Sequence, residues 1–423
     1  MLRIKHPYII LLLLTVAYTL SFMDRYVMNL FLNKVKTDFQ LSETQAGLLA
    51  GAGFAVLYAL MALPMGIVAD RSSRTKLAAL GVAVWSIMTM GCGLAKNFAL
   101  LFVGRIGVGV GEAALTPAAY PVIKSLFRSE KLSTALGVYS SGIYIGSGLA
   151  YWLGGKALTW IQNENYLSAF GFVSFDWQLV FILFGLPGLL VAALLYFIYE
   201  PQQETSKTTN SQWTELVAFL KTNNYFFLKF CFASAAFNVA VYAAGVWLPA
   251  YLQRLHHMTI AESGQLLGMT MLFVAPIGAI AGGFAADYFS VKRGLSGRIQ
   301  SLLFFLVAIA ACFGSLSFTF TGTLLYAPLI GLSLLMGAPV AITAAAVQEM
   351  APENLRSTAP AFLLMMQNLI GMSLGPLAVA LLTQYVFHNN QQIGEAIAIV
   401  GVVFCSVAFI LFYAIRKAVY EQR

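Results

Sequence analysis

The stretch GIVADRSSR, residues 66–74, closes one long apolar run with an aspartate and two arginines, and GFAADYFSVKR, residues 283–293, repeats the arrangement. Gly66 and Asp70 correspond to Gly283 and Asp287 at a common offset of 217. A second echo, STA, falls at Ser133–Ala135 and Ser357–Ala359, offset by 224. A charged turn that recurs at half the chain length points to a duplicated architecture. What surrounds each copy is apolar. Crossing a hydrocarbon core of about 30 Å takes about 20 apolar residues in a helix, and twelve such runs are expected, over 8–33, 43–69, 77–95, 98–123, 132–155, 176–199, 224–252, 262–286, 301–319, 322–349, 358–386 and 395–417.

The 423 residues are 59% hydrophobic and 10% charged, with a mean hydropathy of +0.78, well above a soluble domain at about 45–50% apolar. Strands of a membrane barrel alternate apolar and polar residues, whereas these runs are continuous, so the expected fold class is an all-α membrane protein. The first run is too long for a cleavable leader, so the first helix is expected to stay. Cys92, Cys231, Cys312 and Cys405 lie in or near apolar runs without CxxC spacing, which argues against a disulfide framework or a zinc site. No metal and no cofactor is expected.

The net charge of +8 is explained by topology and not by nucleic acid. With a cytoplasmic N-terminus, 18 of the 25 Lys and Arg fall on the inner side; Lys34, Lys36, Lys96, Lys156 and Arg254 lie outside, and Arg25 and Arg105 lie within the spans. Positive residues favour the cytoplasmic side, which places both termini there. The only long polar inner connection, from Glu200 to Asn224, divides the runs six and six. It is expected to carry a short amphipathic helix around Trp213 to Phe219. The expected organisation is therefore an N-terminal six-helix bundle over 1–199, a cytoplasmic linker over 200–223 and a C-terminal bundle over 224–423. Parallel repeats of this kind suit a transporter that presents a midplane site to each side in turn.

The glycine, three residues, Asp-Arg and further basic residue of Gly66 to Arg74 resemble the loop 2–3 signature of the major facilitator superfamily. More narrowly, the chain resembles its spinster branch, the sphingolipid and lysolipid transporter-like group. The stretches that carry this are DRYVMN (24–29), DRSSR followed by Trp85-Ser86, GRIGVGVGEAALTPAAYPVI (104–123), GSGLAYWLGG (146–155) and LRSTAPAFLLMMQNLIGMSLGP (355–376). Two departures stand out: Ala114-Leu115-Thr116-Pro117 replaces a small polar run after GEA, and helix 5 lacks the proline of the antiporter signature.

Four charges lie deep in the spans: Asp24, Arg25, Arg105 and Glu112, all in the N-terminal half. Each costs about 2.5–3.5 kcal/mol at a helix centre on insertion scales, so pairing is expected. Arg105 and Glu112, seven apart, share one face of their helix. At 1.5 Å per residue, Asp24 lies about 24 Å, Arg105 about 27 Å and Glu112 about 16 Å above the inner boundary. Asp24 is therefore expected to meet Arg105, with Glu112 deeper. Burial and a neighbouring guanidinium act on a carboxylate in opposite senses, which suits groups that take and release a proton. The resemblance implies the same site: its helix 1 Asp and helix 4 Arg and Glu fall on Asp24, Arg105 and Glu112. Arg25 is expected either to anchor an anionic substrate group or to pair locally.

Gly104, Gly107, Gly109 and Gly111 are expected to allow close helix packing, and Pro117 and Pro121 to bend the inner half of helix 4. The resemblance implies a cytoplasmic gate in which Asp70, with Gly66, Arg71 and Arg74, caps the start of helix 11 near Ser357 and Thr358, where the helix dipole favours an anion. The C-terminal half offers polar groups without buried charge: Asn238, Tyr242, Thr343, Gln367 and Asn368. With Arg25, Phe22, Tyr26 and Tyr144 these form the expected substrate contacts; Trp152, Met365 and Met366 extend the apolar lining. His256 and His257 are expected to be an exposed loop pair.

These readings converge on a proton-coupled secondary transporter of an amphiphilic lipid, with a proton-coupled symporter of small organic anions as the rival. A channel would give no reason for gate signatures in both halves. An enzyme would need a nucleophile or metal set, and neither HExxH nor a Cys/His cluster occurs. The expected partners are the substrate, protons and membrane lipids, with no nucleic acid, and the protein is expected to be a monomer. Short tails and the absence of an N-x-S/T sequon fit a bacterial inner membrane.

Overall fold

The computed structural model describes residues 4–127, 129–164, 173–198, 209–222, 224–318, 322–352, 355 and 358–421. The protein is all-α, and no β-strand occurs among the described residues, only a single bridge between Ile4 and Ile198. Eleven helical segments among them are long and apolar enough to cross a membrane. The remaining expected span, 132–155, lies in a 35-residue helix rich in Gly, Ser and Tyr.

The chain forms two compact units, Met1–Ser206 with Met258–Gly268, and Lys207–His257 with Met269–Arg423. In the first unit, α1 is Pro7–Asp38, α2 Glu43–Ala50, α3 Ala52–Arg71 and α4 Arg74–Gly93. They are followed by α5 (Phe98–Glu112), α6 (Leu115–Leu126), α7 (Ser129–Asn163) and α8 (Asp176–Tyr196). The signature at residues 66–74 thus joins two helices. Ser73 caps α4 by accepting from the Lys76 amide, as Asn97 caps α5 through the Leu100 amide.

The expected bend in helix 4 is a break between α5 and α6, at Ala113–Ala114. Pro117 has no N–H to return to the Ala113 carbonyl, and the Ala114 amide turns to the carbonyl of Gly111, three residues back. Glu112 therefore sits on the last residue of α5. That helix packs against α3 and α4 at backbone distance: a Cβ on Gly109 would lie 2.6 Å from the Phe54 carbonyl oxygen, and one on Gly111 2.7 Å from the Trp85 nitrogen.

The second unit contains α9 (Thr209–Thr222), α10 (Asn224–Leu255), α12 (Ala275–Ser315), α13 (Tyr326–Leu335), α14 (Gly337–Met350), α15 (Thr358–Met366), α16 (Ser373–Leu381) and α17 (Ile393–Glu421). Helix α11, Ile260–Met269, leads into α12 through a π-helical turn, Thr270–Val274. Two further π-helical turns, Gln367–Met372 and Leu382–Val386, flank α16. The expected spans over 262–286 and 301–319 are joined by α12, which continues through a kink at Gly294, where φ is 54°. Glycine alone takes that left-handed backbone without a Cβ penalty.

Candidate functional site

The four deep charges gather where α1, α4 and α5 meet. Asp24, Arg25, Arg105 and Glu112 are all buried, none more than 7% exposed. Ser21 and Arg25 lie one turn apart on α1, hence on one face, and both reach Glu112. Ser21 Oγ donates to Glu112 Oε2 at 2.7 Å, as does Arg25 Nε at 2.6 Å, and Arg25 Nη2 lies 2.5 Å from the same oxygen. The Arg25 guanidinium also stands over the rings of Phe22, Phe54 and Tyr58, 4.6, 4.8 and 4.6 Å from their centroids. A planar, weakly hydrated guanidinium suits such an enclosure better than an ammonium.

Asp24 and Arg105 meet as expected, but through the main chain and not as a side-chain ion pair. Arg105 Nη1 donates to the main-chain carbonyl of Asp24 at 3.1 Å, while the Asp24 carboxylate accepts from Thr89 Oγ1 at 3.1 Å. Successive helical residues point about 100° apart, so Asp24 faces α4 while Arg25 turns toward α3 and the end of α5. Arg25, expected to anchor an anionic substrate group or to pair locally, is ion-paired with Glu112. Four buried atoms of this cluster have no hydrogen-bond partner among the described residues: Asp24 Oδ1, Glu112 Oε1, and Arg105 Nε and Nη2.

An aromatic file runs beside the charges. Tyr18, Phe22 and Tyr26, four residues apart on α1, are half-buried. Phe22 lies 5.1 Å from Tyr18 and 6.4 Å from Tyr26, and Tyr26 meets Tyr151 edge-on at 5.4 Å. Tyr144, on α7, is half-buried.

In the second unit, Tyr242 Oη donates to Asn368 Oδ1 at 2.7 Å. Asn368 and the buried Gln367 belong to the π-helical turn Gln367–Met372, a departure from α geometry that often marks functional sites. Asn238 Nδ2 donates to the Ser234 carbonyl, and Thr343 Oγ1 donates to that of Pro339, each within its own helix. The close approach of Gly371, whose Cβ would lie 2.8 Å from Asn238 Cβ, seats the π turn on α10. The second copy of the turn signature is a paired cluster, with Arg298 Nη1 donating to Asp287 Oδ1 at 3.1 Å and Arg298 Nε ion-paired with Glu349 Oε2 at 3.1 Å.

Of the expected gate residues, Arg74 opens α4, Gly66 has open space where a Cβ would stand, and Thr358 opens α15 and is buried. The side chains of Asp70 and Arg71, and Ser357 altogether, lie outside the described residues. His256 is half-buried with its ring 5.0 Å from that of Tyr251, and only His257 is exposed. Burial, and then the neighbouring His257, hold the His256 imidazole below its ordinary protonation range. No cluster of metal-ligating side chains occurs among the described residues. Ser21 and Thr89 are absent from the sequence reading. The signal for them is spacing: Ser21 lies four residues before Arg25, and Thr89 is a polar residue one turn beyond Trp85 in an apolar helix.

Two all-helical units, the first with four ionisable residues buried within its apolar spans, define a polytopic membrane transporter. The family model for the Major Facilitator Superfamily matches residues 14–376, and the chain belongs to that superfamily, in which it is spinster-like. The crystal structure of a bacterial homologue of the human lysosomal transporter spinster, inward-facing and occupied, superposes with a TM-score of 0.84 at 25% identity over 99% of this chain and 98% of that one. The hexuronate transporter of Bacillus subtilis is 26% identical over 95% of this chain and 94% of its own. The sphingosine-1-phosphate transporter SPNS2 of Danio rerio is 29% identical over 60% of this chain and 49% of its own. Family and fold are those of transporters, not enzymes.

Proposed function

We propose that the protein is a proton-coupled secondary transporter that moves an amphiphilic, lipid-like substrate of the lysophospholipid or sphingoid type by alternating access. The observation that carries this reading is the buried cluster of two carboxylates and two guanidiniums, with four polar atoms that lack partners among the described residues. Each such atom is unfavourable by about 1–3 kcal/mol, a poor way to brace two helices and a good way to hold groups that exchange partners. Ionisable residues inside a membrane span mark proton relays and substrate paths.

In this reading Asp24 and Glu112 take and release the proton. Arg105 is the counter-charge that moves between them, and Arg25 holds Glu112 while that carboxylate is ionised. Phe22, Tyr26 and Tyr144 accommodate the apolar tail; Asn238, Tyr242, Thr343, Gln367 and Asn368 meet the polar end. Gly66, Asp70, Arg71, Arg74, Ser357 and Thr358 form the cytoplasmic gate. Residues 1–199 and 224–423 rock about the linker 200–223, with both termini cytoplasmic and a bacterial inner membrane as the location. The spinster relatives support the lipid-like substrate, and the sphingosine-1-phosphate transporter among them supports a long-chain amphiphile.

The second reading, symport of a small organic anion, is favoured by the hexuronate transporter, matched over nearly its full length. Proteoliposomes with an imposed pH gradient separate the two. Uptake of fluorescent lysophosphatidylcholine is expected to follow the gradient and to lose that dependence in Asp24→Asn and Glu112→Gln. Gradient-driven uptake of glucuronate alone would establish the second reading instead, and indifference to both the gradient and the substitutions would overturn proton coupling.

A further inference from the structure

Threonines in helices usually return their hydroxyl to a carbonyl one turn back. Buried Thr15, Thr343 and Thr383 do so here, bonding the carbonyls of Leu11, Pro339 and Val379. Thr89 does not. It is 2% exposed on α4, and its Oγ1 crosses to α1 to reach Asp24 Oδ2 at 3.1 Å.

The two carboxylates of the cluster are held in different ways. Glu112 is clamped by a hydroxyl and two guanidinium nitrogens on one oxygen. Asp24 receives one side-chain hydrogen bond among the described residues, from Thr89, because the Arg105 contact goes to its main-chain oxygen. The ionisable groups facing Asp24 are Arg25 on its own helix, Cys92 on α4, and Arg105 and Glu112 on α5. None of them supplies a hydrogen bond to the carboxylate.

We infer that Thr89 is the positioning residue of the proton site: its hydroxyl fixes the Asp24 carboxylate on the α4 side and sets the pH at which Asp24 gives up its proton. The inference rests on the proton-coupled reading of Asp24. A hydroxyl donor stabilises the ionised carboxylate in a dry site, where a hydrogen bond to a charged group is strong. Without it, Asp24 holds its proton to higher pH. Thr89 neither takes the proton nor meets the substrate.

The test is infrared titration of the purified, full-length protein in detergent, following the carbonyl band of the protonated carboxyl that Asp24→Asn removes. Thr89→Val, close in shape, is expected to move the midpoint of that band upward by about one pH unit. Thr89→Ser, which keeps the donor, is expected to stay within about 0.3 unit of wild type. The pH profile of gradient-driven lysophosphatidylcholine uptake should shift in the same direction and by a similar amount. Thr89→Ala provides the same comparison if the valine variant inserts poorly. An Asp24 band whose midpoint is unmoved by loss of the hydroxyl, or moved equally by serine, overturns the role of Thr89 and leaves the proton reading standing. If Asp24→Asn removes no titrating band, the proton reading of Asp24 fails first and the role of Thr89 falls with it.

Discussion

Replacing Glu112 by glutamine takes from Arg25 the anion it pairs with, while the guanidinium stays buried between Phe22, Phe54 and Tyr58. Removing one member of a buried pair typically destabilises by about 3–5 kcal/mol. Asp24→Asn removes no side-chain ion pair, and the amide oxygen still accepts from Thr89, so a change of about 1 kcal/mol or less is expected. Thermal unfolding of the two variants in one detergent checks the contrast. Equal losses would mean that Asp24, too, relies on a charge partner. That these four residues would gather was legible in the sequence, because charges in apolar runs are unfavourable unless paired. How they pair was not. Axial height placed Arg105 beside Asp24, but the direction around the helix, which sends Asp24 toward α4 and Arg25 toward Glu112, depends on which neighbours each face meets. The hydroxyls of Ser21 and Thr89 were invisible for a related reason. In an apolar helix a serine or threonine ordinarily bonds its own backbone, and only the packing shows when it does not.

Among the elements, α5 is held by approach of its backbone to α3 and α4. An alanine methyl at Gly109 would stand 2.6 Å from the Phe54 carbonyl oxygen, and Phe54 is one of the rings beneath Arg25 and, at 5.4 Å, beneath Arg105. Gly109→Ala must therefore part α5 from α3, and overpacking of this kind costs about 1–3 kcal/mol. Gly66→Ala, at a half-buried position of α3, meets no atom within 4 Å, and the gain in helix propensity should leave stability unchanged or raised by up to about 1 kcal/mol. Melting temperatures of the two variants, with gradient-driven uptake for Gly109→Ala, test this; a Gly109→Ala protein as stable and active as wild type would show that α5 can shift freely. The glycine spacing and a bend in the inner half of helix 4 were readable because Gly and Pro act locally, whereas the place of the break, at Ala113–Ala114, was not. The π turns at residues 270–274, 367–372 and 382–386 were not, since an inserted residue in a helix leaves no compositional trace and is selected by the contacts it makes, such as Gly371 against Asn238.

At the scale of the whole molecule the polar chemistry is divided between the two units. The four buried charges belong to Met1–Ser206, and the cross-helix bond of Tyr242 to Asn368 belongs to the other unit. The duplicated turn signature makes the two units related, and the asymmetry of their buried residues makes them unequal. If one unit handles the proton and the other the polar end of the substrate, substitutions in the second should alter which substrate moves without uncoupling transport. Tyr242→Phe removes the hydroxyl donor, and Asn368→Leu removes its acceptor. Each is expected to raise KM for lysophosphatidylcholine roughly tenfold, the equivalent of one lost hydrogen bond of about 1–1.5 kcal/mol. The dependence of uptake on the imposed pH gradient should persist in both. Asp24→Asn is expected to do the reverse, removing the gradient dependence while direct binding of the same lipid stays within a few-fold of wild type. If the second-unit variants lost gradient dependence with their affinity, substrate and proton would share one site, and the division of labour between the units would be wrong.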